Sequence, residues 1–215
     1  MIAQIVDIFL HLDVHLAHLS ATYGTAIYII LFLIIFAETG LVVAPFLPGD
    51  SLLFAVGALA SLETSGLDIW FLWILLITAA FIGDNTNYQI GKRIGPKVFS
   101  NEKSIFLNPK YLAKTEAFYQ EHGVKTVFFA RFMPILRTFA PFVAGVGHMN
   151  YKKFMIFSLI GSIVWMSCFL GAGYYFGNYP SVKSNFHVVI FTVIGISLLP
   201  VVITALKSRL SARKG

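Results

Sequence analysis

Five charged residues lie inside long apolar stretches of this 215-residue chain. A charge in such surroundings is costly, so the presence of each one has to be explained. Three are carboxylic acids, Glu38, Asp50 and Asp84, and two are arginines, Arg131 and Arg137. A guanidinium presents a rigid fork of donors that matches the oxygens of a phosphate. Desolvation and a neighbouring cation shift the pKa of a carboxyl group in opposite directions, so a carboxylate beside an arginine can be poised to take a proton. The set therefore predicts a site that binds an anion and exchanges protons.

The composition places these charges in a membrane protein. Hydrophobic residues make up 57% of the chain and charged residues only 12%, and the mean hydropathy is +0.78. Because a soluble domain is about one quarter charged, this chain lacks the polar surface that a water-soluble globule needs. Its single cysteine, Cys168, excludes a disulfide scaffold. A chain of this length is predicted to form a single membrane domain.

The distribution of basic residues indicates the topology. Residues 1–91 contain no Lys or Arg and seven acids, whereas residues 92–215 hold all 16 basic residues. These basic residues fall mainly in short segments between apolar runs, which is typical of cytoplasmic loops and not of nucleic-acid binding. A secretory signal peptide is not expected, because no basic segment precedes the first apolar stretch.

The apolar stretches predict an all-α polytopic fold. Residues 68–91, 154–177 and 186–206 are each long enough to cross a hydrocarbon core of roughly 30 Å. Residues 26–60 and 126–147 are also apolar but are interrupted near the middle. The other predicted segments are an interfacial amphipathic helix at 1–25, a basic cytoplasmic loop with an amphipathic helix at 92–125, and a basic tail at 207–215.

Proline and glycine interrupt the two broken segments. The interrupting residues are Pro45, Pro48 and Gly49 in the first segment and Pro134 and Pro141 in the second. Since proline breaks a helix, each segment is predicted to enter the membrane, break and return to the side of entry as a re-entrant hairpin. Three full crossings then place 13 basic residues on one side and only Lys183 on the other. This predicts a cytoplasmic C-terminus and an external N-terminus.

An internal repeat is predicted from a shift of 86 residues. The shift aligns Phe46 with Phe132, Pro48 with Pro134, Tyr88 with Tyr174, and Gly91 with Gly177. Each copy is a broken segment followed by one crossing, so the two copies are predicted to be inverted relative to each other. The last crossing lies outside the repeat. Inverted repeats whose broken helices meet near the middle of the membrane are typical of secondary transporters.

The charged residues favour a switch between two pairings. A charge near the bilayer centre costs on the order of 3 kcal/mol or more on insertion scales and persists only with a partner or a wet cavity. Arg131 and Arg137 would point about 120° apart on an unbroken helix, but a break at Pro134 lets both face one cavity. We hypothesise that protonation of Glu38 or Asp50 releases an arginine to bind an anionic lipid headgroup. The alternative is static: buried ion pairs that only lock the broken segments together.

The motifs that carry these residues resemble the DedA family, also called the SNARE-associated or VTT domain family. Its first signature resembles ETG at 38–40 with PFLPGDS at 45–51, and its second resembles GD at 83–84 with YQIG at 88–91. Its third and most specific signature resembles FARFMPILRTFAPFVAG at 129–145. The likeness extends over nearly the whole chain.

The resemblance implies a bacterial inner-membrane protein with two opposed re-entrant helices that moves lipid across the bilayer. Bacterial members are associated with returning undecaprenyl phosphate or with flipping phospholipids, in dependence on the proton-motive force. By this likeness the important acids are Glu38 and Asp50, with Asp84 in the second signature, and the important arginines are Arg131 and Arg137. Implied partners are an anionic lipid, either a polyprenyl phosphate or a phospholipid, and protons or Na⁺, in a possible homo-oligomer.

Other residues are assigned structural roles. The spacing of Gly91 and Gly95 predicts close helix packing, Gly145 belongs to the third signature, and Tyr88 is predicted near a membrane interface. No cofactor is expected. Asp7, His11 and His15 share one face of the first helix and could ligate a metal, but a water-exposed polar face is the simpler interpretation.

Two rival functions remain open. A lipid phosphatase would also use arginines, but it would need a nucleophile or an acid–base pair, most often histidine, beside them. The predicted topology leaves all six histidines outside the charged set. For this reason the chain is expected to be a lipid transporter and not an enzyme. A proton-coupled exporter of small molecules is the other rival.

Overall fold

The computed structural model of the chain describes residues 24–41, 49–98, 123 and 125–183, together with the isolated positions 188, 192 and 195. Within these residues the regular structure is helical and contains no strand, in agreement with the predicted all-α class. The helices are α1 (Ala26–Gly40), α2 (Gly49–Ala60), a 3-10 turn (Glu63–Ser65), α3 (Ile69–Val98), α4 (Lys125–Ala130), α5 (Pro134–Val146), α6 (Tyr151–Phe176) and α7 (Pro180–Lys183).

Two of these helices are long and apolar enough to cross a membrane. They are Ile69–Ile94 within α3 and Tyr151–Phe176, each of 26 residues, with mean hydropathies of 1.6 and 2.0. At 1.5 Å per residue each extends about 39 Å, which exceeds the roughly 30 Å of a hydrocarbon core. They coincide with the spans predicted at 68–91 and 154–177. The helix α3 continues to Val98, beyond the predicted boundary, through exposed Lys92 and Arg93, both of which are good helix formers.

Several predicted segments lie outside the described residues. These are the interfacial helix at 1–25, nearly all of the basic loop at 92–125 beyond the end of α3, the last span at 186–206 apart from three single positions, and the tail at 207–215. The potential metal ligands Asp7, His11 and His15 lie in the first of these segments. Among the residues that are described, no three His, Cys, Asp or Glu side chains are grouped so as to hold a metal ion.

Both segments predicted to be broken are divided into two short helices. The helix α1 ends at Gly40 and α2 begins at Gly49, while α4 ends at Ala130 and α5 begins at Pro134. These helices have 15, 12, 6 and 13 residues, which is below the roughly 20 needed for a crossing. Their return to the side of entry stays a prediction, and Pro45 and Pro48 fall between the described ranges.

The two prolines of the second broken segment act differently from each other. Pro134 occupies the first position of α5, where its fixed φ suits a helix start and its missing N–H costs nothing. Pro141 was predicted to interrupt the segment, but α5 continues through it to Val146. A proline within a membrane helix removes one backbone hydrogen bond, and neighbouring groups can offset that loss, so the helix need not end there.

The chain divides into two compact units. The large unit comprises Thr25–Leu47 and Trp70–Ser167, and so contains α1, nearly all of α3, α4, α5 and the first part of α6. The small unit comprises Met1–Gly24, Pro48–Ile69 and Cys168–Gly215, and its described residues include α2 and the end of α6. Each unit contains a close crossing of a short helix with a long one, formed by α5 with α3 in the large unit and by α2 with α6 in the small unit.

In the large unit, α5 crosses α3 with the backbones in contact. A Cβ added at Gly91 would lie 2.9 Å from the carbonyl carbon of Phe142, and one added at Gly145 would lie 2.8 Å from the nitrogen of Lys92. Both glycines are therefore required by this close approach of the two backbones. Tyr88 is buried beside this crossing, where its hydroxyl donates to the carbonyl of Met149, and its predicted place near a membrane interface stays a prediction.

In the small unit, α2 crosses the end of α6 in a similar way. A Cβ added at Gly57 would lie 2.9 Å from the nitrogen of Tyr174, and one added at Gly173 would lie 2.8 Å from the carbonyl carbon of Phe54. Beyond the end of α6, the side-chain amide of Asn178 donates to the carbonyl of Ala58 at 2.9 Å. All twelve residues of α2 are buried.

Candidate functional site: two buried ion pairs

Two arginines of the large unit are each paired with a carboxylate from another helix. The Nη2 of Arg131 donates to Oδ2 of Asp84, and the Nη2 of Arg137 donates to Oε1 of Glu38. All four side chains are only 1–4% exposed. The structure thus brings together four of the five charged residues that the sequence singled out, and it separates them into two pairs.

The break between α4 and α5 positions both arginines. Arg131 lies in the turn after α4, where its amide donates to the carbonyl of Phe128 at 3.3 Å. Arg137 lies in the first turn of α5, where its amide donates to the carbonyl of Met133 at 2.8 Å. An unbroken helix would direct these side chains about 120° apart. The interruption before Pro134 allows both side chains to be buried within one unit.

The carboxylates come from the two helices that face this break. Glu38 lies in the last turn of α1, and Asp84 lies in the middle of α3. Oδ2 of Asp84 also accepts a hydrogen bond of 2.5 Å from the hydroxyl of Ser158 on α6. Sequence reasoning listed Asp84 among the unusual charges but gave it no partner, and the structure pairs it with Arg131.

Asn87 joins three of these helices near the ion pairs. Its side-chain amide donates to the carbonyl of Thr39 at 3.1 Å and to the carbonyl of Thr138 at 2.7 Å. The first acceptor is at the C-terminal end of α1, where helix carbonyls lack an intrahelical donor. The amide therefore links α1 to α5 through α3, one turn after Asp84. The sequence gave this residue no role.

Trp165 is a further residue of the site that sequence reasoning missed. Its buried ring lies 4.6 Å from Cζ of Arg137 and 5.8 Å from Cζ of Arg131, measured to the ring centroid. Both distances fall within the roughly 6 Å range of a cation–π interaction. A signal for it existed in the sequence: tryptophans of membrane proteins concentrate at the interfaces, whereas Trp165 lies near the middle of a predicted span.

Several polar atoms of the site are buried without a hydrogen-bond partner in the described part of the chain. They are Oδ1 of Asp84, Oδ1 of Asn87 and Nη1 of Arg131. A buried polar group without a partner costs about 1–3 kcal/mol, and more when it is charged. The site thus has donors and acceptors beyond those that its ion pairs use, which is the capacity needed to bind water or an anion.

Asp50 belongs to the small unit. It lies buried in the first turn of α2, directly after Gly49 and before the buried hydroxyl of Ser51. A carboxylate in the first turn is stabilised by the positive end of the helix dipole, which explains the place of an acid there. Its predicted part in releasing an arginine stays a prediction.

Comparison with known proteins places this geometry in a family. The VTT domain matches residues 47–175, a range that includes Asp50, Asp84 and both arginines. Protein DedA of Escherichia coli is 51% identical over 214 residues, covering 100% of this chain and 98% of the relative. The chain belongs to the DedA family of VTT-domain membrane proteins. The sequence resemblance is therefore confirmed at the level of the family.

More distant members of the family are also similar. An uncharacterized membrane protein of Mycobacterium leprae is 43% identical over 172 residues, covering 80% of this chain and 76% of the relative. Inner membrane protein YqjA of Escherichia coli is 32% identical over 154 residues, covering 72% of this chain and 69% of the relative. No solved structure matches the chain. These likenesses and the two apolar spans identify a membrane protein.

Proposed function

We propose that this DedA-family protein translocates an anionic lipid across the bacterial inner membrane, driven by proton uptake at its buried carboxylates. The observation that carries the proposal is the pairing of each buried arginine, Arg131 and Arg137, with its own carboxylate. A guanidinium binds a phosphate in the same bidentate manner as it binds a carboxylate, so the two ligands can compete for it. The transported lipid is therefore one with a phosphate in its headgroup.

The energetics of buried ion pairs supports a functional role over a static one. Removing two charges from water costs several kcal/mol per ion, and replacement by well-packed apolar residues is often neutral or stabilising. A purely structural lock between helices would not need two such pairs. A transport site gains from them because each pair has two alternative states, closed on the carboxylate or open to an anion.

The proposed cycle begins with protonation. When Glu38 takes a proton it loses its charge, and the guanidinium of Arg137 becomes available to the phosphate of a lipid. Asp84 releases Arg131 in the same manner. Deprotonation toward the other side of the membrane restores the carboxylates, which displace the phosphate. Lipid movement is thereby coupled to proton movement. Na⁺ could take the place of the proton at the same oxygens, and the experiment below distinguishes the two ions.

The orientation follows from the basic residues. With the C-terminal tail in the cytoplasm, the clusters at 92–125, 152–153 and 207–214 all face the cytoplasmic leaflet, where anionic lipids attract them. The protein is proposed to act as a transporter and not as an enzyme, without a cofactor. Support comes from the histidine that the structure describes, His148, which is exposed in a turn while both arginines are buried.

Reconstitution in liposomes tests the proposal. Purified protein is placed in vesicles that carry either a fluorescent phospholipid or a polyprenyl phosphate, and leaflet exchange is measured with and without a pH gradient or a Na⁺ gradient. We expect the pH gradient to accelerate exchange for one of the two lipids. Glu38→Gln and Arg137→Ala are expected to abolish this acceleration, whereas Glu63→Gln, at an exposed acid of the 3-10 turn, serves as the matched control.

Three outcomes would contradict the proposal. Wild-type exchange rates in folded, membrane-inserted Glu38→Gln and Arg137→Ala variants would exclude the ion pair from transport. Release of inorganic phosphate from the labelled lipid would favour the phosphatase. A pH change inside the vesicles that is triggered by a small cationic drug and not by lipid would favour the exporter.

A further inference from the structure

One face of α6 is shaped around the two arginines. Ser158 donates to Asp84, the partner of Arg131. One turn later, a Cβ added at Gly161 would lie 3.2 Å from Nε of Arg131, so the absence of a side chain leaves room for that arginine. One further turn along, the ring of Trp165 lies within reach of both guanidiniums. The three residues thus form a stripe at helical spacing that contacts both members of one ion pair and one member of the other.

The place of Trp165 is not explained by membrane anchoring. Trp70 and Trp73 lie at the start of α3, as expected for residues at an interface, and Trp70 is 72% exposed. Trp165 is wholly buried near the midpoint of α6. A buried indole with two arginines at its ring can act as a cation–π partner, which a tryptophan at the interface cannot do for these arginines.

We propose that Trp165 is the positioning residue of the phosphate site, and that its ring holds both guanidiniums in place while their carboxylates are protonated. This inference rests on the proposed function. Protonation of Glu38 and Asp84 would leave two like charges close together without counter-ions. The electron-rich ring then remains as a partner of both guanidiniums, because it has no proton to exchange and stays in place when the lipid leaves. The arginines stay oriented, and the phosphate binds without the cost of ordering two long side chains.

The two arginines are expected to depend on the ring unequally. Arg137 lies closer to the ring centroid than Arg131, and Arg131 also packs against the backbone of α6 at Gly161. The ring contacts these two arginines, which are in turn paired with Glu38 and Asp84. Loss of the ring should therefore weaken phosphate binding mainly at Arg137. It should leave the supply of protons to the carboxylates unchanged.

Three variants of the full-length protein test this role. Trp165→Leu removes the ring, Trp165→Phe keeps an aromatic face, and Phe154→Leu removes a buried aromatic of the same helix that stacks on Tyr88 instead of on an arginine. Each is reconstituted in vesicles of digalactosyldiacylglycerol, a lipid without phosphate, with increasing mole fractions of a fluorescent phosphatidylglycerol or of a polyprenyl phosphate. The initial rate of leaflet exchange then gives an apparent KM and kcat, and thermal unfolding in detergent gives the stability.

We expect Trp165→Leu to raise the apparent KM about tenfold, as the loss of a desolvated cation–π partner implies. In Trp165→Phe the apparent KM should rise only about threefold above the wild-type value, because an aromatic face is kept. Phe154→Leu should lower the unfolding temperature by a similar amount to Trp165→Leu but leave the apparent KM unchanged. A wild-type KM in Trp165→Leu, or an equal rise in Phe154→Leu, would overturn the inference.

Fluorescence tests the same contact without lipid transport. The chain has three tryptophans, so Trp70→Phe with Trp73→Phe leaves Trp165 as the sole emitter. Adding Arg137→Gln to this protein should change the emission, because a charge 4.6 Å from the ring is lost. Identical emission with and without Arg137→Gln would overturn the inference. A changed emission from a protein that moves no lipid would instead overturn the proposed function.

Discussion

The two units contain the same type of helix crossing with different surroundings. In the small unit the short helix presents Phe54 and Gly57 to α6, and in the large unit it presents Phe142 and Gly145 to α3. Both are a Phe-x-x-Gly spacing whose glycine touches the backbone of the long helix. Glycine allows this close approach in both cases because a side chain would meet backbone atoms.

The crossings differ in the polar groups beside them. The crossing in the small unit is followed by a neutral contact, in which Asn178 donates to the carbonyl of Ala58, and is preceded on α2 by the buried acid Asp50. The crossing in the large unit is preceded on α5 by Arg137, which is paired with Glu38. An acid of α2 therefore precedes the first crossing, whereas an arginine together with its carboxylate accompanies the second. Because buried ion pairs contribute little net stability, the pairs of the large unit support the proposed role in transport.

The largest effect is expected at an ion pair of the large unit. Arg137→Ala leaves the carboxylate of Glu38 buried without its cation, which should destabilise the protein by about 3–5 kcal/mol at neutral pH. The double variant Arg137→Ala with Glu38→Gln removes the charge as well and should recover most of that loss. Thermal unfolding of the two proteins in detergent measures the difference. If the double variant is as unstable as the single one, the pair is not the origin of the loss.

The equivalence of the two crossings can be tested with alanine. Gly57→Ala and Gly145→Ala each force a methyl group against the backbone of a long helix and should cost about 1–3 kcal/mol. Gly171→Ala is the matched control, because no atom lies within 4 Å of the added Cβ. That substitution should be neutral or slightly stabilising, since alanine favours a helix. Similar losses at Gly57 and Gly145 would sharpen the comparison, and a loss at only one would break it.

The smallest effect is expected at the two amide side chains. Asn87 is wholly buried and donates to two carbonyls, whereas Asn178 is half-buried and donates to one carbonyl and to the hydroxyl of Ser61. We expect Asn87→Ala to lower the stability by about 2 kcal/mol and Asn178→Ala by about 1 kcal/mol or less. Unfolding temperatures of the two variants give the order. The reverse order would mean that the amide of the small unit carries more of the structure than its exposure suggests.

The repeat predicted from a shift of 86 residues has a counterpart in these crossings, but no uniform shift describes it. Phe54 and Gly57 correspond to Phe142 and Gly145 at a distance of 88 positions, whereas Gly173 corresponds to Gly91 at 82. The short helix of each predicted copy crosses the long helix of the other copy. An inverted repeat stays a prediction. An alignment of the two copies on these contacts would use a shift of 88 residues for the short helices and 82 for the long ones, instead of 86 throughout.

Much of the fold followed from local chemistry. Two spans were predicted because an apolar run of sufficient length can be recognised from the sequence alone. The break before Pro134 was predicted because proline has no backbone N–H and its ring clashes with the preceding turn of a helix. The continuation of α5 through Pro141 was not predicted. Whether a proline inside an apolar segment ends the helix depends on the neighbouring groups that offset the lost hydrogen bond.

The sequence by itself determined that this is a membrane protein with five charges in apolar surroundings, since composition and hydropathy are properties of the chain alone. Only the tertiary structure decided that Arg131 pairs with Asp84 and Arg137 with Glu38, and that Trp165 contacts both arginines. The pairs join residues 47 and 99 positions apart. Such contacts depend on how α1, α3, α5 and α6 pack, and the periodicity of a single segment carries no information about the helix opposite to it.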